Sequence, residues 1–377
     1  MTLVLNEEQR LLKDTAKDFL NRIMPVSALR QLRDQKDSLG YKREHWQQMT
    51  DLGWASMVLP EAYDGLDFGY LGLGAVIEES GRTLAASPLF STVVLCSTIL
   101  IDGGDEEQKS ALLPRIAAGE LSLALALEEK PHHQPNAFTT TATAGDGGYV
   151  INGKKLFVLD GHSADQLIVA TSLASGVGLF IIDANTPGIE RRRHHLIDSR
   201  NAASIEFNQV KVSHSALISS PEQGQDVLNK ALDYGRICLA AEMLGSATEC
   251  FERTVAYLKE RDQFGVKIGS FQALQHRAAK MYIELELSKS VVLDALSAID
   301  DKRADLPQLA SLAKARLNDV FELVSNEAVQ MHGGIGVTDH QGLCKLLLEP
   351  QYEIFTVRRA PHKLRQTFKQ RCTWIRC

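Results

Sequence analysis

Six residues in the C-terminal third of the chain are of types, and at spacings, suited to holding a nucleotide cofactor. They are Arg261, Phe264, Gln272, Gln330, Gly333 and Gly334. An arginine guanidinium can donate two charge-assisted hydrogen bonds to a pyrophosphate. Paired glycines let backbone amides approach a phosphate or an adenine without a Cβ in the way. The alternative is that Arg261 is a solvated helix-end charge and that the glycines only cap the preceding helix.

These residues lie in two motifs that resemble signatures of the acyl-CoA dehydrogenase family. The first is Arg-Asp-Gln-Phe-Gly at residues 261–265, followed by Gly-Ser-Phe-Gln at residues 269–272, and the second is Gln-Met-His-Gly-Gly at residues 330–334. The resemblance covers roughly residues 1–338. It implies an FAD site built across a subunit interface. One subunit would supply the first motif with Arg261, Phe264 and Gln272, and its neighbour would supply Gln330, Gly333 and Gly334.

A third segment resembles the stretch where the family holds the CoA thioester. Residues 232–236 read Leu-Asp-Tyr-Gly-Arg, which places Asp233 and Arg236 at the matching positions. The resemblance therefore implies that these two residues bind substrate. The alternative is an ordinary surface salt bridge, since residues three apart on a helix are neighbours.

The general base of the family reaction is missing from both of its usual positions. The resemblance places a glutamate at residue 357 or at residue 235, and this chain has Val357 and Gly235 there. Neither side chain can accept the α-proton of an acyl-CoA. Glu353, one helical turn before Val357, is a weak candidate for a displaced base, and its alternative is a surface glutamate on a helix.

The region expected to face the flavin ring also departs from the family pattern. Residues 127–135 stand where the family has Thr-Glu-Pro followed by Gly-Ser-Asp. Leu159 stands where a threonine hydroxyl would hydrogen-bond flavin N5, and leucine has no hydroxyl. The motifs for the nucleotide half of FAD are therefore intact, whereas those for the isoalloxazine half are altered.

This combination resembles the small subunits of bacterial two-gene acyl-CoA dehydrogenases of the pimeloyl-CoA or steroid side-chain type. The first hypothesis is accordingly a subunit that shares FAD with a homologous large subunit in a heterotetramer, desaturates an acyl-CoA and passes electrons to an electron-transfer flavoprotein. The second is a self-sufficient enzyme, as a homo-oligomer, that uses Glu353. The third is a non-redox CoA-binding or structural paralogue.

The elements that must position these residues follow the order helices, strands, helices, which predicts an α+β fold. The predicted domains are an N-terminal helical domain (1–120), a middle β-barrel or sandwich (121–220) and a C-terminal four-helix bundle (221–377) that forms the oligomer interface. Asn6 and Glu8 predict the start of the first helix, and Pro25 predicts its end. Asn152-Gly153 predicts the turn of a β-hairpin.

Composition excludes several classes of function. The formal net charge of −6 over 377 residues argues against a nucleic-acid partner. Six scattered cysteines without a Cys-x-x-Cys pair favour neither zinc nor disulfides. Neighbouring histidines rarely bind one ion on a strand, so no metal site is predicted. The run at residues 191–193, three arginines, is interpreted as a solvated turn. With no membrane span or signal peptide predicted, a cytoplasmic location is expected.

The tail beyond Asp339 is atypical for the family. Three of the six cysteines lie there, together with Pro350 and Pro361. If the codons for residues 355–368 are read one base later, they can encode a Leu-Phe-Gly-Glu-His-His run. The small subunits that this chain resembles should show such a run near this position. This pattern suggests a frame slip near residues 339–340, which would make residues 341–377 a poorly packed segment and would remove the argument from Val357.

Overall fold

The computed structural model describes residues 4–131, 133–145, 147–196 and 198–338. Among these described residues, seven α-helices and one π-helix lie between residues 7 and 260, and two more long α-helices follow. The first set comprises α1 (Glu7–Ile23), α2 (Val26–Asp34), α3 (Arg43–Asp51), α4 (Tyr70–Thr83), the π-helix (Leu89–Cys96), α5 (Ser97–Gly103), α6 (Glu106–Ala117) and α7 (Pro221–Glu260). The last two are α8 (Gln272–Asp300) and α9 (Leu306–His332).

The strands lie between α6 and α7, apart from one short hairpin. They are β1 (Leu123–Ala126), β2 (Thr141–Gly145), β3 (Gly148–Leu159), β4 (Gln166–Leu173), β5 (Gly176–Asp183), β6 (Ile189–His195) and β7 (Asn201–Val212). They form one mixed sheet of order β1-β4-β2-β3-β7-β6, with β5 paired to β4. The hairpin of β8 (Asp262–Gln263) and β9 (Val266–Lys267) follows α7. The α+β class is confirmed.

The chain divides into two compact units. The bundle unit takes its described residues from 1–20, 74–84 and 236–377, and therefore contains α8, α9 and most of α7. The sheet unit takes residues 21–73 and 85–235 and contains the seven-stranded sheet. Within the predicted bundle at 221–377, the described residues contain the helices α7, α8 and α9, and residues 339–377 lie outside the described part of the chain. The bounds of the three predicted domains remain a prediction.

The start of α1 is capped as the sequence suggested, with one difference. Asn6 Oδ1 accepts from the backbone N–H of Gln9 at 2.8 Å, and Gln9 Oε1 accepts from the N–H of Asn6 at 3.0 Å. These two bonds satisfy backbone donors at a helix start. The partner of Asn6 is thus Gln9 rather than Glu8. The helix ends at Ile23, before Pro25.

The predicted hairpin turn at Asn152-Gly153 is wrong. Both residues lie inside β3, where the pairing with β7 shifts register between Ile151 and Gly153. Gly153 has φ +149, and a Cβ there would come within 2.5 Å of Thr140 Oγ1. The glycine therefore serves a β-bulge, which inserts one residue and bends the strand. The connection from β2 to β3 runs instead between Gly145 and Gly148.

The solvated turn predicted at residues 191–193 is also wrong, because these arginines belong to strand β6. Arg191 donates to the carbonyl oxygens of His162 and Ala164, each at 3.1 Å. Arg193 donates to the carbonyl of Asp37 at 2.5 Å. Two of the three guanidinium groups thus hold loops against the sheet.

Candidate functional site

Arg261 follows directly after the last residue of α7 and begins the β8–β9 hairpin. Its carbonyl accepts from the backbone N–H of Ile268 at 2.9 Å, and its side chain is exposed. The two turn residues, Phe264 and Gly265, have φ +55 and +76. Two positive φ values in a two-residue loop define a type I′ turn. The turn projects the Phe264 ring into solvent at 91% exposure, with the Phe271 ring 6.2 Å away.

Two side-chain contacts bring the remaining motif residues to the same end of the bundle unit. The Tyr257 ring, one turn before Arg261, stacks on the His332 ring at a centroid distance of 4.4 Å. Arg277, in the second turn of α8, forms an ion pair with Glu327 near the end of α9. The end of α7, the start of α8 and the end of α9 therefore lie together. All six nucleotide-site candidates lie at this end of the unit.

Gly333 ends α9 in a conformation that glycine favours. Its φ is +63 and its ψ −143, and its N–H bonds back to the carbonyls of Gln330 and Val329. The capping interpretation of Gly333 is thus correct, but it does not account for Gly334. A Cβ at either glycine would meet no atom within 4 Å, and the Gln330 side chain is exposed. The two glycines leave the backbone accessible at the end of α9, as a nucleotide site requires.

Comparison with known proteins decides the family. The acyl-CoA dehydrogenase N-terminal, middle and C-terminal domain models match residues 6–120, 126–210 and 222–353. Mitochondrial isovaleryl-CoA dehydrogenase of Pongo abelii is 30% identical over 93% of this chain and 85% of its own length. The chain belongs to the acyl-CoA dehydrogenase family. Members of this family are FAD-dependent oxidoreductases. The C-terminal match extends to residue 353, beyond the predicted limit of resemblance at 338.

Solved structures of the family agree in fold along nearly the whole chain. A chain of the electron transferring flavoprotein structure of Acidaminococcus fermentans covers 99% of both chains at 26% identity, with a TM-score of 0.89. A chain of the ChsE4-ChsE5 complex from Mycobacterium tuberculosis covers 94% of both at 25% identity, with a TM-score of 0.85. A chain of the Tcur3481-Tcur3483 steroid acyl-CoA dehydrogenase covers 94% of both at 30% identity, with a TM-score of 0.83.

The nucleotide half of an acyl-CoA dehydrogenase cofactor site fits the residues present. Arg261 offers an exposed guanidinium, Gln272 and Gln330 offer exposed amides, and Gly333 and Gly334 leave the backbone accessible. In this family FAD is the expected cofactor. The described residues hold no group of three or more His, Cys, Asp or Glu side chains arranged for a metal ion, and none of their helices could span a membrane.

At the positions where the resemblance predicts contacts to the flavin ring, the side chains lack the expected groups or are already hydrogen-bonded. Leu159, the last residue of β3, pairs with Ala202 of β7 and offers no hydroxyl. The Glu128 carboxylate contacts His133 Nδ1 at 2.5 Å and the backbone N–H of Gln134 at 3.3 Å. In the loop that departs from the Thr-Glu-Pro pattern, the Glu128 carboxylate is therefore already hydrogen-bonded within the loop.

A buried ion pair between Glu129 and Lys155 fixes the same loop. Lys155 is fully buried, and its Nζ donates to Glu129 Oε1 at 2.8 Å and to the Leu127 carbonyl at 3.1 Å. Glu129 also accepts from the N–H and hydroxyl of Thr139, both at 2.5 Å, and from the Thr140 N–H at 2.9 Å. A carboxylate with four donors is well solvated by the protein itself.

The pKa values of this pair follow from burial and from the pair's own charges. Burial raises the pKa of Glu129, but the hydrogen bonds from Lys155 and Thr139 outweigh it and lower the pKa to about 2. Burial lowers the pKa of Lys155 to about 8, against the opposing effect of Glu129. Both groups are therefore charged at neutral pH. Sequence reasoning missed this pair, although a lysine within a predicted strand segment and the tandem Glu128-Glu129 were visible signals.

The substrate-binding candidates lie on α7, and Asp233 is not the surface residue of the alternative interpretation. Its relative exposure is only 8%, and Arg236 is half-buried. The intervening Tyr234 is buried and packs edge-on against Tyr70, with ring centroids 4.8 Å apart. The burial of Asp233 excludes an exposed surface charge, and its role in binding the thioester remains a prediction.

Gly235 lies where the family can place its base, and the space beside it is taken. A Cβ at Gly235 would come within 2.6 Å of Leu95 Cδ2 and 4.0 Å of the Phe90 ring. Both neighbours belong to the π-helix. A glutamate at this position would require Leu95 to move. The candidate base Glu353, the other expected base position at Val357 and the whole predicted tail lie outside the described residues.

Proposed function

We propose that this chain is a subunit of a heteromeric acyl-CoA dehydrogenase. In this proposal it helps to hold the nucleotide half of a shared FAD, and a homologous partner subunit supplies the catalytic base. One observation carries the shared site: Phe264 is 91% exposed at the tip of a hairpin, next to Arg261. When bound, FAD would accept a hydride from the β-carbon of an acyl-CoA thioester while a carboxylate removes the α-proton.

The environment of Phe264 supports a site completed by another chain. A left-handed backbone conformation at a residue with a Cβ costs about 1–2 kcal/mol. Within its own chain the Phe264 ring is not buried, so no burial there offsets the cost of this backbone conformation. Ile335 and Val337, just beyond the glycine pair, are 41% and 67% exposed. Exposed apolar groups gathered at a polar site are typical of a surface that another protein covers.

The missing base supports a heteromer over a homo-oligomer. Every copy of this chain carries Gly235 and Leu159, so a homo-oligomer repeats the same deficiency among the described residues. A homologous large subunit with a glutamate would supply the base instead. Two structural relatives are named as pairs, ChsE4-ChsE5 and Tcur3481-Tcur3483. An electron-transfer flavoprotein is the proposed electron acceptor, in keeping with the relatives named for such complexes.

The residues of this chain have distinct roles in the proposal. Arg261 would neutralise the pyrophosphate, and Gln272 would hydrogen-bond the nucleotide from the same subunit. Gln330, Gly333 and Gly334 would contact it from the neighbouring subunit. Asp233 and Arg236 would orient the CoA thioester. Each assignment rests on the position of the residue in the family motif together with the exposure or burial described above.

Replacing Arg261 with alanine is expected to weaken FAD retention by the assembled complex. Loss of one charge-assisted hydrogen bond costs about 1.5–3 kcal/mol, which corresponds to about 10- to 150-fold in affinity. The flavin absorbance that remains after dialysis measures the effect. Lys259→Ala, two residues earlier on the same helix end, is the matched control and should retain flavin. Equal retention in both variants would remove Arg261 from the site.

A further inference from the structure

A small cleft in the sheet unit, with none of the residues assigned to FAD in its lining, is surrounded by positive charge. It has a volume of about 80 Å³ and lies where the end of α2 meets β6 and the loop after it. Its basic and imidazole side chains are those of Arg33, Lys36, Arg193, His194, His195 and Arg200. Nothing in the proposed acyl-CoA dehydrogenase reaction uses these residues.

The charge balance of the cleft is opposite to that of the chain. Four of the lining residues are Lys or Arg, whereas Asp37 is the one acidic residue among them. The carboxylate of Asp37 is already engaged, since its Oδ1 accepts from the N–H groups of Leu39 and Gly40 at 2.9 and 2.7 Å. The chain as a whole carries a net charge of −6. Such a local excess of cations attracts and concentrates anions.

The wall of the cleft is held rigidly. Arg193 donates to the carbonyls of Asp37 and Ser38, and Asn201 Nδ2 donates to the Leu39 carbonyl at 2.8 Å. Gly40 has φ +75, and a Cβ there would come within 2.0 Å of Asn201 Oδ1. The loop therefore fits against the sheet only with glycine at this position. A preorganised wall lowers the entropic cost of binding a small ligand.

Lys36 occupies a backbone position at which glycine would be favoured. It lies two residues beyond the end of α2 with φ +52, and its N–H bonds to the carbonyl of Arg33 at 3.0 Å. Helices commonly end in this way with glycine, which has no Cβ penalty there. A lysine at this site is less stable in this backbone conformation than a glycine would be, but it places a positive charge at the cleft.

The positive field is also visible at the neighbouring His162, whose Nε2 lies 3.2 Å from the Ser38 carbonyl. Burial, together with the charges of Arg193 and Arg191, lowers the pKa of His162 to about 4. Protonation is unfavourable beside fixed cations. The field around the Asp37–Gly40 loop is thus positive, as the lining residues indicate.

We infer that this cleft binds the phosphate group of a small molecule. Lys36 and Arg200 can give a phosphate charge-assisted hydrogen bonds. Arg193 is held by the carbonyls of the loop and Arg33 pairs with Asp34, so these two contribute to the cleft through their positive charge. The volume suits one tetrahedral oxyanion rather than a whole nucleotide, so the remainder of a larger ligand would stay outside. Binding here is independent of the FAD site, because none of the lining residues belongs to either cofactor motif.

Calorimetric titration of the full chain with inorganic phosphate at low ionic strength tests the inference. We expect saturable binding that Lys36→Gly and Arg200→Gln each weaken by about tenfold or more, the loss expected for one charge-assisted bond. Lys36→Gly should unfold at the same temperature as the unmodified chain or higher, because glycine adopts φ +52 without strain. A second titration with AMP distinguishes a phosphate monoester from free phosphate as the ligand. Tighter binding of AMP than of inorganic phosphate identifies a phosphate monoester, and equal binding identifies the free ion.

The matched control is Lys302→Gly. Lys302 also lies two residues beyond a helix end, α8, with φ +49, and it is exposed and outside the cleft. Phosphate affinity should not change in this variant. The inference is overturned if the unmodified chain shows no saturable binding at millimolar phosphate, or if Lys302→Gly weakens binding as much as Lys36→Gly.

Discussion

Purified without a partner, the chain is expected to leave its flavin oxidised when a saturated acyl-CoA is added. Gly235 cannot accept the α-proton, and Leu95 fills the space where a longer side chain would begin. Loss of general-base catalysis alone slows a reaction by roughly 10²- to 10⁴-fold. Leu159 further removes a hydrogen-bond donor that the family provides to the flavin ring. Anaerobic absorbance spectra of the chain, reconstituted with excess FAD, measure the outcome.

Two additional spectra make this experiment decisive. Dithionite should bleach the flavin band, which shows that the added flavin is reducible under the conditions used. Bleaching by acyl-CoA that is lost in Glu353→Gln would contradict the proposal. It would identify a self-sufficient acyl-CoA dehydrogenase with a displaced base.

Replacing Glu129 with glutamine is expected to destabilise the fold by about 3–5 kcal/mol, because it leaves the Lys155 ammonium buried without its counter-charge. Lys155 has no exposed surface, and its other described hydrogen-bond acceptor is the Leu127 carbonyl. Urea unfolding monitored by circular dichroism measures the change. The matched control is Glu206→Gln, which breaks an exposed ion pair with Lys154. Exposed pairs contribute about 0–1 kcal/mol. A Glu129→Gln variant as stable as this control would contradict the assignment.

The same pair predicts how stability changes with pH. The pKa of Glu129 falls from 4.5 to about 2 on folding, so the folded chain binds this proton more weakly. Its stabilising contribution is therefore complete above pH 4.5 and is lost as the pH falls toward 2. The lowered pKa of Lys155 acts in the opposite range: its burial cost lessens as the pH rises from about 8 toward 10.5. Glu129→Gln should flatten the acid limb of the stability curve.

Periodicity and family motifs predicted the main elements, whereas features set by long-range contacts were missed. The start of α1 depends on Asn6 and on a residue three positions later, so local sequence was sufficient. Asn152-Gly153 is a good hairpin signal locally, but its role was decided by Thr140 and by the pairing with β7. Tertiary packing thus converted a predicted turn into a bulge.

The candidate site likewise combines features that local sequence predicted with features set by long-range contacts. Its nucleotide residues were found because they lie in two short motifs, and the structure brings them to one end of the bundle unit through contacts such as that of Tyr257 with His332. The burial of Asp233, the packing of Leu95 against Gly235 and the Glu129–Lys155 pair depend on residues far apart in sequence. No local pattern specifies such contacts, although a lysine that is buried within a strand requires a partner.

The ratio of FAD to protein chains tests the shared site most directly. The chain should be produced alone and together with the large-subunit homologue expected beside its gene, and each sample passed through gel filtration. The account predicts that the chain alone loses its flavin. The co-produced complex should retain flavin at less than one FAD per chain, with activity on an acyl-CoA. A chain that alone retains one FAD per chain would contradict the shared site.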